Sequence, residues 1–418
     1  MNEPLRILLC DDRETIAEDY ADDIRGAAGN VTVTALSGKL LSSALTGLRA
    51  RARAAFAGKP APQEALPFDD CDVCLVDNSL LFLDPDAGDG AEAIFGLIRA
   101  FTRCEYTISI NLDPFTDFDL RLLGGHPETV ADLALNERHL ALKSVWDRSA
   151  GGFAPSWWPD IRRVVAKREA RRRSILNHAE GLDGQIWSFF GFDQNNRADG
   201  LQDTALGYLD PEAETTGNVQ TTFANFFVRA ARSLPAKEED RLKLLELPEV
   251  AVRVIEAELS TWLARMVAAP QSTLVDAAHL VIRTPVLVPE PRTDTANWDA
   301  VAVADEPPFG MDPELFGRHV QPAWFNAPGA PNGLEAWGDR PLFWWPDLRE
   351  DDELGRLDLA VQDLPNLVYA EDLSRFVSSD DQAPPRSFLA AFRTSWDERF
   401  VSAGVDGFRY APRSLLAR

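Results

Sequence analysis

The first 150 residues alternate between short apolar runs and longer segments with helical periodicity. In the longer segments apolar side chains recur every three or four positions, which is the spacing of one face of an α-helix. The shorter runs are rich in aliphatic and β-branched residues, as buried β-strands are. We therefore predict strands at Leu5–Cys10, Val31–Leu36, Val73–Val76, Tyr106–Asn111 and His139–Leu142, and helices at Glu14–Gly29, Leu40–Phe56 and Gly90–Phe101. Repeated β–α units of this kind predict an α/β fold with a doubly wound, five-stranded parallel sheet.

The pattern changes after residue 157. Residues 158–180 contain seven basic side chains between Arg162 and Arg173 and a partial apolar face, which predicts a connector helix. A run of charge on a helix usually marks a solvated face. The alternative is a helix that docks on an acidic partner, such as the acidic C-terminal half of this same chain.

Residues 181–418 are expected to form a second, mainly α-helical domain of unknown type. Helical periodicity is clearest at Thr222–Ser233, Lys237–Leu245, Glu249–Ala268 and Pro385–Phe400. Residues 284–347 are rich in proline, which excludes long regular helices, and in tryptophan, which indicates packing rather than disorder. The predicted organisation is a first domain at 1–157, a connector helix at 158–180 and a Trp/Pro-rich C-terminal domain at 181–418.

The chain carries 66 acidic and 42 basic residues, for a formal charge of −24 at pH 7. Proteins that bind nucleic acids need basic side chains against phosphates, so this balance argues against a nucleic-acid partner. No apolar stretch is long enough to span a bilayer, and Met1–Pro4 leads into the first strand without the features of a signal peptide. We therefore expect a cytoplasmic protein without a membrane anchor.

All four cysteines lie in the first quarter of the chain, at Cys10, Cys71, Cys74 and Cys104. Cys71 and Cys74 have the C-x-x-C spacing, but the second pair of ligands that a zinc site needs is missing. Cys10 and Cys74 lie within predicted strands, where a free thiol behaves as a small apolar group. We therefore expect no metal or redox role for the cysteines.

Carboxylates close two of the predicted strands. Asp11 and Asp12 follow the first strand, and Asp77 follows the third. In an open parallel sheet, ligands bind at the carboxyl ends of the strands, and like charges that meet there resist joint ionisation. A hard cation with oxygen ligands, such as Mg²⁺, relieves that repulsion. Taken alone, Asp12 is equally explained as the N-cap of a helix that begins near Glu14.

The ordered set of polar residues resembles the receiver domain of two-component response regulators. An acidic pair follows the first strand, an aspartate ends the third, an Asp-Gly element precedes a helix, a small polar residue lies on the fourth strand and a lysine ends the fifth. The residues that carry this resemblance are Asp11, Asp12, Asp77, Asp89, Gly90, Ser109 or Asn111, and Lys143. The resemblance covers about the first third of the chain and implies a flavodoxin-like receiver fold there.

The resemblance implies a magnesium site. Asp11, Asp12 and Asp77 would hold Mg²⁺ directly or through water, and the backbone carbonyl of Ser79 would complete the ligand shell. The metal would offset the repulsion between an anionic phosphoryl donor and the anionic acceptor.

The resemblance also implies roles in phosphoryl transfer. Asp77 would be the nucleophile and phosphoacceptor. Lys143 would supply a positive charge to one phosphoryl oxygen, and Ser109 or Asn111 would donate a hydrogen bond to another. This sequence departs from the family in two respects: two residues compete for the strand-four position, and Ser144 stands where the family usually has a proline.

The function implied is that of a response regulator in a phosphorelay, which is phosphorylated on Asp77 by a histidine kinase or a phosphotransfer protein and signals through a C-terminal domain that does not bind DNA. A downstream protein partner and a homodimer fit this interpretation. Two alternatives are a receiver-gated effector enzyme, for example in bacterial defence, and a phosphate sink that drains a kinase. A pocket with a histidine, or with carboxylates that converge near Glu371, would favour the enzyme.

Overall fold

The N-terminal part of the chain forms a five-stranded, all-parallel sheet with strand order β2-β1-β3-β4-β5. The computed structural model describes residues 3–59, 62, 64–78, 80, 91–111, 129–147, 159–192, 201, 203–211, 220–323, 331–361, 364–370, 373–378, 386–388 and 399–401. The strands of the sheet are β1 (Leu5–Asp11), β2 (Val31–Ser37), β3 (Val73–Asp77), β4 (Tyr106–Asn111) and β5 (Leu133–Asn136). This order is that of flavodoxin-like folds, and it confirms the predicted five-stranded parallel sheet.

Helices cover both faces of the sheet. The helices of this part are α1 (Glu14–Ala27), α2 (Gly38–Phe56), α3 (Ala91–Phe101), α4 (Lys143–Trp146) and α5 (Ile161–Leu176). Because side chains alternate along a strand, Ile7 and Leu9 pack with α1 and the start of α5, whereas Leu8 and Cys10 pack with α2 and α3. Both faces of β3 are fully buried, which explains why its sequence is apolar as far as Asp77.

The predicted fifth strand is wrong. The strand lies at Leu133–Asn136 rather than at His139–Leu142, and a 3₁₀ turn follows it at Glu137–His139. The side chain of Asn136 accepts a hydrogen bond from the Arg138 N–H and so starts that turn. Apolar runs of four residues occur in strands and in helical turns alike, and here Leu140 packs into the core from a turn.

The basic helix α5 is solvated on one side only. Arg168, Arg171 and Arg172 are only 3%, 3% and 6% exposed, whereas the side chain of Arg173 is 66% exposed. Arg168 Nη1 lies 2.8 Å from Glu256 Oε2, which belongs to the acidic C-terminal half. The expected solvated face is therefore wrong for the three buried arginines, which contribute to docking on this chain's own acidic half.

The rest of the chain contains ten further α-helices and two small sheets among the residues described. The helices are α6 (Ile186–Phe189), α7 (Asp203–Leu209), α8 (Phe223–Ala230), α9 (Glu238–Leu242), α10 (Pro248–Trp262), α11 (Ala277–Arg283), α12 (Thr295–Val303), α13 (Pro313–His319), α14 (Trp345–Arg349) and α15 (Asp352–Leu359). The strands are β6 (Leu274–Asp276), β7 (Leu342–Trp344), β8 (Leu367–Ala370), β9 (Arg375–Ser378), β10 (Arg386–Phe388) and β11 (Arg399–Val401).

The helix predicted at Pro385–Phe400 is wrong where the structure describes it. Both ends of that segment are strands, β10 and β11, which pair with each other in a four-stranded sheet of order β10-β11-β8-β9. Phe388 on β10 pairs with Arg399 on β11. The helical spacing of apolar residues in this segment gave no sign of that pairing, because strand formation depends on the partner strand.

One hydrophobic core joins the α2–α3 side of the sheet to the helices that follow residue 181. Trp262, Phe190 and Trp337 lie in it together with residues of α2 and α3. Arg253 on α10 donates from Nε to the Arg99 carbonyl at 2.9 Å, so α10 is held against α3. The division at 1–157, 158–180 and 181–418 stays a prediction. Among the described residues, no helix has the length and apolar character needed to cross a membrane.

Candidate functional site

Three carboxylates meet at the carboxyl edge of the sheet. Asp11 ends β1 and Asp77 ends the adjacent strand β3, and the Cys10–Val76 pairing places the two aspartates side by side. Each of Asp11, Asp12 and Asp77 offers an oxygen that lies within 4.8 Å of the others. The sequence prediction that these three residues converge is confirmed.

Asp11 is the most perturbed member of this acid cluster. It is fully buried, and its Oδ1 accepts a hydrogen bond from the Arg13 N–H at 2.8 Å. Burial raises the pKa of Asp11 to about 6, against the opposing effect of that hydrogen bond, and the charge of Asp77 adds to the rise. The carboxylate is therefore held in surroundings that disfavour its charge.

The donor set fits a hard cation. Asp11 Oδ2 is buried and has no hydrogen-bond partner among the residues that the structure describes. A buried polar atom without a partner is costly, and an oxygen-preferring cation such as Mg²⁺ would satisfy it together with Asp12 and Asp77. Ser79, the expected carbonyl ligand, lies outside the described residues, as do Asp89 and Gly90.

The N-cap alternative for Asp12 does not hold. The N-cap of α1 is Arg13, and no side chain caps the helix there. Asp12 is instead a member of the acid cluster, with its side chain only 20% exposed. Its position is thus explained by the cluster rather than by the start of the helix.

Arg13 belongs to the site, although the sequence analysis did not select it. Its Nε lies 3.7 Å from an oxygen of Asp11 and 3.7 Å from one of Asp12. The side chain is half exposed, so it partly offsets the negative charge while it remains mobile enough to turn toward a bound anion. Its position directly after Asp11 and Asp12 in the sequence could have identified it.

The strand-four candidates differ in depth. Asp77 pairs with Ile110, so strand alternation puts Ser109 and Asn111 on the opposite face of the sheet. Ser109 pairs with Val76 and is 1% exposed, whereas Asn111 ends β4 and is partly exposed. Asn111 therefore lies at the edge where the acid cluster is, and Ser109 lies one pleat below it.

Lys143 does not end the fifth strand. It is the exposed first residue of α4, seven positions after Asn136, where β5 ends. The residue directly after β5 is Glu137. The end of the fifth strand, where the resemblance implies a lysine, therefore carries a carboxylate in this protein.

Tyr20 and Glu137 form a second polar pair beside the acid cluster. The buried Tyr20 hydroxyl on α1 donates a hydrogen bond to Glu137 Oε2. Burial, this hydrogen bond and the negative charges of Glu137, Asp77 and Asp11 all raise the pKa of Tyr20, so its hydroxyl stays protonated beside the cluster. The sequence analysis treated Tyr20 only as a member of an apolar helical face, and Glu137 lies 117 residues away from it.

The fold and this edge define a flavodoxin-like α/β sheet with an acid cluster at the carboxyl ends of two central strands. No protein-family model matches this chain, and neither a curated protein nor a solved structure is significantly similar to it.

Proposed function

We propose that this chain is a response regulator of a phosphorelay, in which Asp77 accepts a phosphoryl group from a histidine kinase or a phosphotransfer protein. The observation that carries the proposal is the convergence of Asp11, Asp12 and Asp77 at the carboxyl edge of a five-stranded parallel sheet of order 2-1-3-4-5. Asp77 is the proposed nucleophile because it ends a central strand and is fixed there by buried neighbours on both sides.

The proposed reaction is an in-line displacement. A carboxylate oxygen of Asp77 attacks the phosphorus of the phosphorylated donor, an O–P bond forms, and the bond from phosphorus to the donor nitrogen breaks. The donor imidazole leaves and takes up a proton from water. A divalent cation held by Asp11 and Asp12 would neutralise charge on the phosphoryl oxygens.

The chain's own residues would orient the phosphoryl group. Arg13 is the cationic side chain already placed at the cluster, and Lys143 is the proposed second cation. Both strand-four candidates lie on the face opposite to Asp77; Asn111 is the proposed hydrogen-bond donor because it ends β4, where its side chain would reach the acid cluster around the edge of the sheet. The backbone N–H groups that follow Asp77 begin with Asn78, which donates to the Ile110 carbonyl and so fixes the strand end.

A phosphate sink is the second candidate function. The observation that favours it is the continuous core between the sheet and the helices that follow residue 181, with Arg253 and Arg168 bonded across the contact. A receiver held this firmly would accept phosphate without releasing an output surface. Glu371, near which an enzyme's carboxylates were expected to converge, lies outside the described residues.

The proposal is tested with full-length protein and a small phosphodonor such as acetyl phosphate. Intact mass should show the addition of one phosphoryl group in the presence of Mg²⁺ and none with EDTA. Asp77→Asn should abolish the labelling, because it removes the nucleophile. The matched control is Asp70→Asn, an exposed aspartate just before the same strand at the opposite edge of the sheet, which should label normally. Equal labelling of Asp77→Asn and wild type would overturn the proposal.

A further inference from the structure

The four cysteines lie close together at the sheet, although they come from three separate segments of the chain. All four are free thiols and are buried. Cys10 and Cys74, on adjacent strands, have their sulfurs 3.9 Å apart. The thiols of Cys74 and Cys104 are close enough to that of Cys71 to lower its pKa. The sequence predicted small apolar thiols without a redox role and did not predict that they would lie together.

Cys10 and Cys74, whose sulfurs are in contact, are not placed to form a disulfide bond. Cys10 pairs with Val76 and Cys74 pairs with Leu8, so Cys10 and Cys74 are diagonal neighbours in the ladder. With strands about 4.8 Å apart and about 3.3 Å per residue, their Cα atoms are separated by roughly 8 Å. A disulfide needs Cα atoms within about 7 Å, so this pair cannot close without movement of a central strand.

The C-x-x-C pair is also unsuited. Val73 and Cys74 are extended residues of β3, and only Asp72 bends the chain between them and Cys71. Closing a Cys71–Cys74 bond would pull Cys74 out of its pairing with Leu8 and Thr107.

Cys71 and Cys104 have the right register. Val73 pairs directly with Tyr106, and each cysteine lies two residues before one member of that pair. The pairing continues toward them, because the Asp72 carbonyl accepts from the N–H groups of both Glu105 and Tyr106 at 3.0 Å. Cys71 directly precedes Asp72 and Cys104 directly precedes Glu105, so the two cysteines flank the same backbone contact, just outside the paired strands.

Side-chain contacts agree with this register. Cys104 Sγ lies 3.9 Å from the Asp72 carbonyl and 3.3 Å from that of Tyr106. Cys71 Sγ is directed into the same region and lies 3.6 Å from the Phe68 carbonyl. Both cysteines lie in the segments that precede their strands, where the backbone has more freedom to adjust than within the ladder.

We propose that Cys71 and Cys104 form a reversible disulfide when the protein meets a peroxide-class oxidant. The Cys71 sulfur attacks one peroxide oxygen, the O–O bond breaks, and a sulfenic acid and one water result. The Cys104 sulfur then attacks the sulfenic sulfur, the S–S bond forms, and the sulfenic hydroxyl leaves with the Cys104 proton as a second water. The two sulfurs lose two electrons and the peroxide gains them.

The neighbours of each thiol indicate which cysteine attacks the peroxide and which one resolves the sulfenic acid. Contacts with the thiols of Cys104 and Cys74 lower the pKa of Cys71 to about 5, and the charge of Arg6 acts in the same direction. Burial raises the pKa of Cys104. Cys71 is therefore the attacking thiolate and Cys104 the resolving thiol. Cys104 lines a cleft of about 230 Å³, a volume that includes the part open to solvent.

The test is a peptide map of the full-length protein after treatment with equimolar hydrogen peroxide and alkylation with N-ethylmaleimide. Trypsin places Cys10 in peptide 7–13, Cys71 and Cys74 in 54–99, and Cys104 in 104–121. The expected product is a crosslink between peptides 54–99 and 104–121, lighter by two hydrogen atoms than the sum of the free peptides, with Cys74 alkylated and the link lost on reduction.

Two variants separate the possible pairings. Cys71→Ser should abolish the crosslink, whereas Cys74→Ser, the matched change three residues away, should retain it. A link that persists in Cys71→Ser, a link to peptide 7–13, or full alkylation of all four thiols in oxidised wild-type protein would each overturn the proposal. The wild-type map decides the question even where a variant fails to fold. Its outcome is independent of phosphorylation at Asp77.

Discussion

Charged groups are buried in two regions of this protein. In one region charges of the same sign lie together, and in the other each charge is paired with one of opposite sign. At the carboxyl edge of the sheet, like charges meet: burial and the charge of Asp77 raise the pKa of Asp11, and one oxygen of Asp11 has no partner among the described residues. Around α5, opposite charges meet. Arg168 Nη2 lies 2.5 Å from Asp132 Oδ1, and Arg99 and Glu256 extend the same network.

The pKa directions express this difference. Burial alone raises the pKa of Asp132, but the charges of Arg168 and Arg99 outweigh it and hold that pKa below its ordinary value. For Asp11 the opposing hydrogen bond from Arg13 is too weak to do the same. A paired buried network is what a structural contact requires, whereas an acid cluster that remains under-compensated is typical of a site that binds a cation.

The largest expected effect is in the paired network. Asp132→Asn removes the carboxylate that two buried arginines share, Arg99 and Arg168, and leaves their charge uncompensated. The free energy of unfolding should fall by about 3–5 kcal/mol, as measured by urea denaturation. The control is Glu314→Gln, which breaks an exposed pair with Arg318 and should cost at most about 1 kcal/mol. A similar small loss for both variants would remove the distinction between the two regions.

The next effect is the stabilisation by Mg²⁺ and its dependence on pH. The pKa of Asp11 rises from 3.8 to about 6 on folding, so this group contributes stability that is fully present below pH 3.8 and is lost as the pH rises through 6. A cation that replaces the proton recovers that loss, since ligands must be deprotonated to bind a metal. At 100 times the dissociation constant, Mg²⁺ should stabilise the protein by about 2.7 kcal/mol at pH 7.5 and by much less at pH 5. Thermal unfolding with Mg²⁺ or EDTA at each pH measures this, and an equal shift at both would contradict it.

A smaller effect, of opposite sign to that in the network, is expected for Asp11→Asn. Without divalent cations this change removes a buried charge next to Asp77 and should raise the free energy of unfolding by on the order of 1 kcal/mol. The same variant should lose the stabilisation by Mg²⁺. Urea denaturation in EDTA measures the change in the free energy of unfolding. A fall of several kcal/mol in that free energy would show that the charge of Asp11 stabilises the fold, as the charge of Asp132 does.

The smallest effect on stability is expected for Lys143→Ala. Because Lys143 is exposed on α4, the free energy of unfolding should change by less than about 0.5 kcal/mol. If Lys143 assists phosphoryl transfer, the initial rate of labelling by acetyl phosphate should fall roughly tenfold. Lys59→Ala, an exposed lysine beyond the C-terminal end of α2, is the matched control and should label at the wild-type rate. An unchanged rate for Lys143→Ala would leave Arg13 as the relevant cation.

The sheet could be predicted from the sequence because its first four strands are rich in aliphatic and β-branched residues and are separated by amphipathic helices. Val73–Asp77, for example, is buried at every position, and its sequence shows it. The prediction of the fifth strand failed because two short runs compete for it: Leu133–Asn136 and His139–Leu142 each contain three apolar residues out of four, and the second run belongs to turns.

The acid cluster could be predicted because parallel strands bring their carboxyl ends to one edge. The polar residues that lie beside the cluster could not be predicted. Tyr20 and Glu137 are far apart in sequence, and a tyrosine on an apolar helical face gives no sign of its hydrogen bond. Arg168 is buried because it pairs with Asp132, which directly precedes β5, and with Glu256 on α10. Such long-range contacts cannot be predicted from the sequence around Arg168.

The account depends most directly on where a phosphoryl group becomes attached. After incubation of the full-length protein with acetyl phosphate and Mg²⁺, reduction with borohydride converts an aspartyl phosphate to homoserine, which peptide mass mapping locates. The account predicts a single converted residue, Asp77. Conversion at a different aspartate, or no conversion in protein that still binds Mg²⁺, would contradict it.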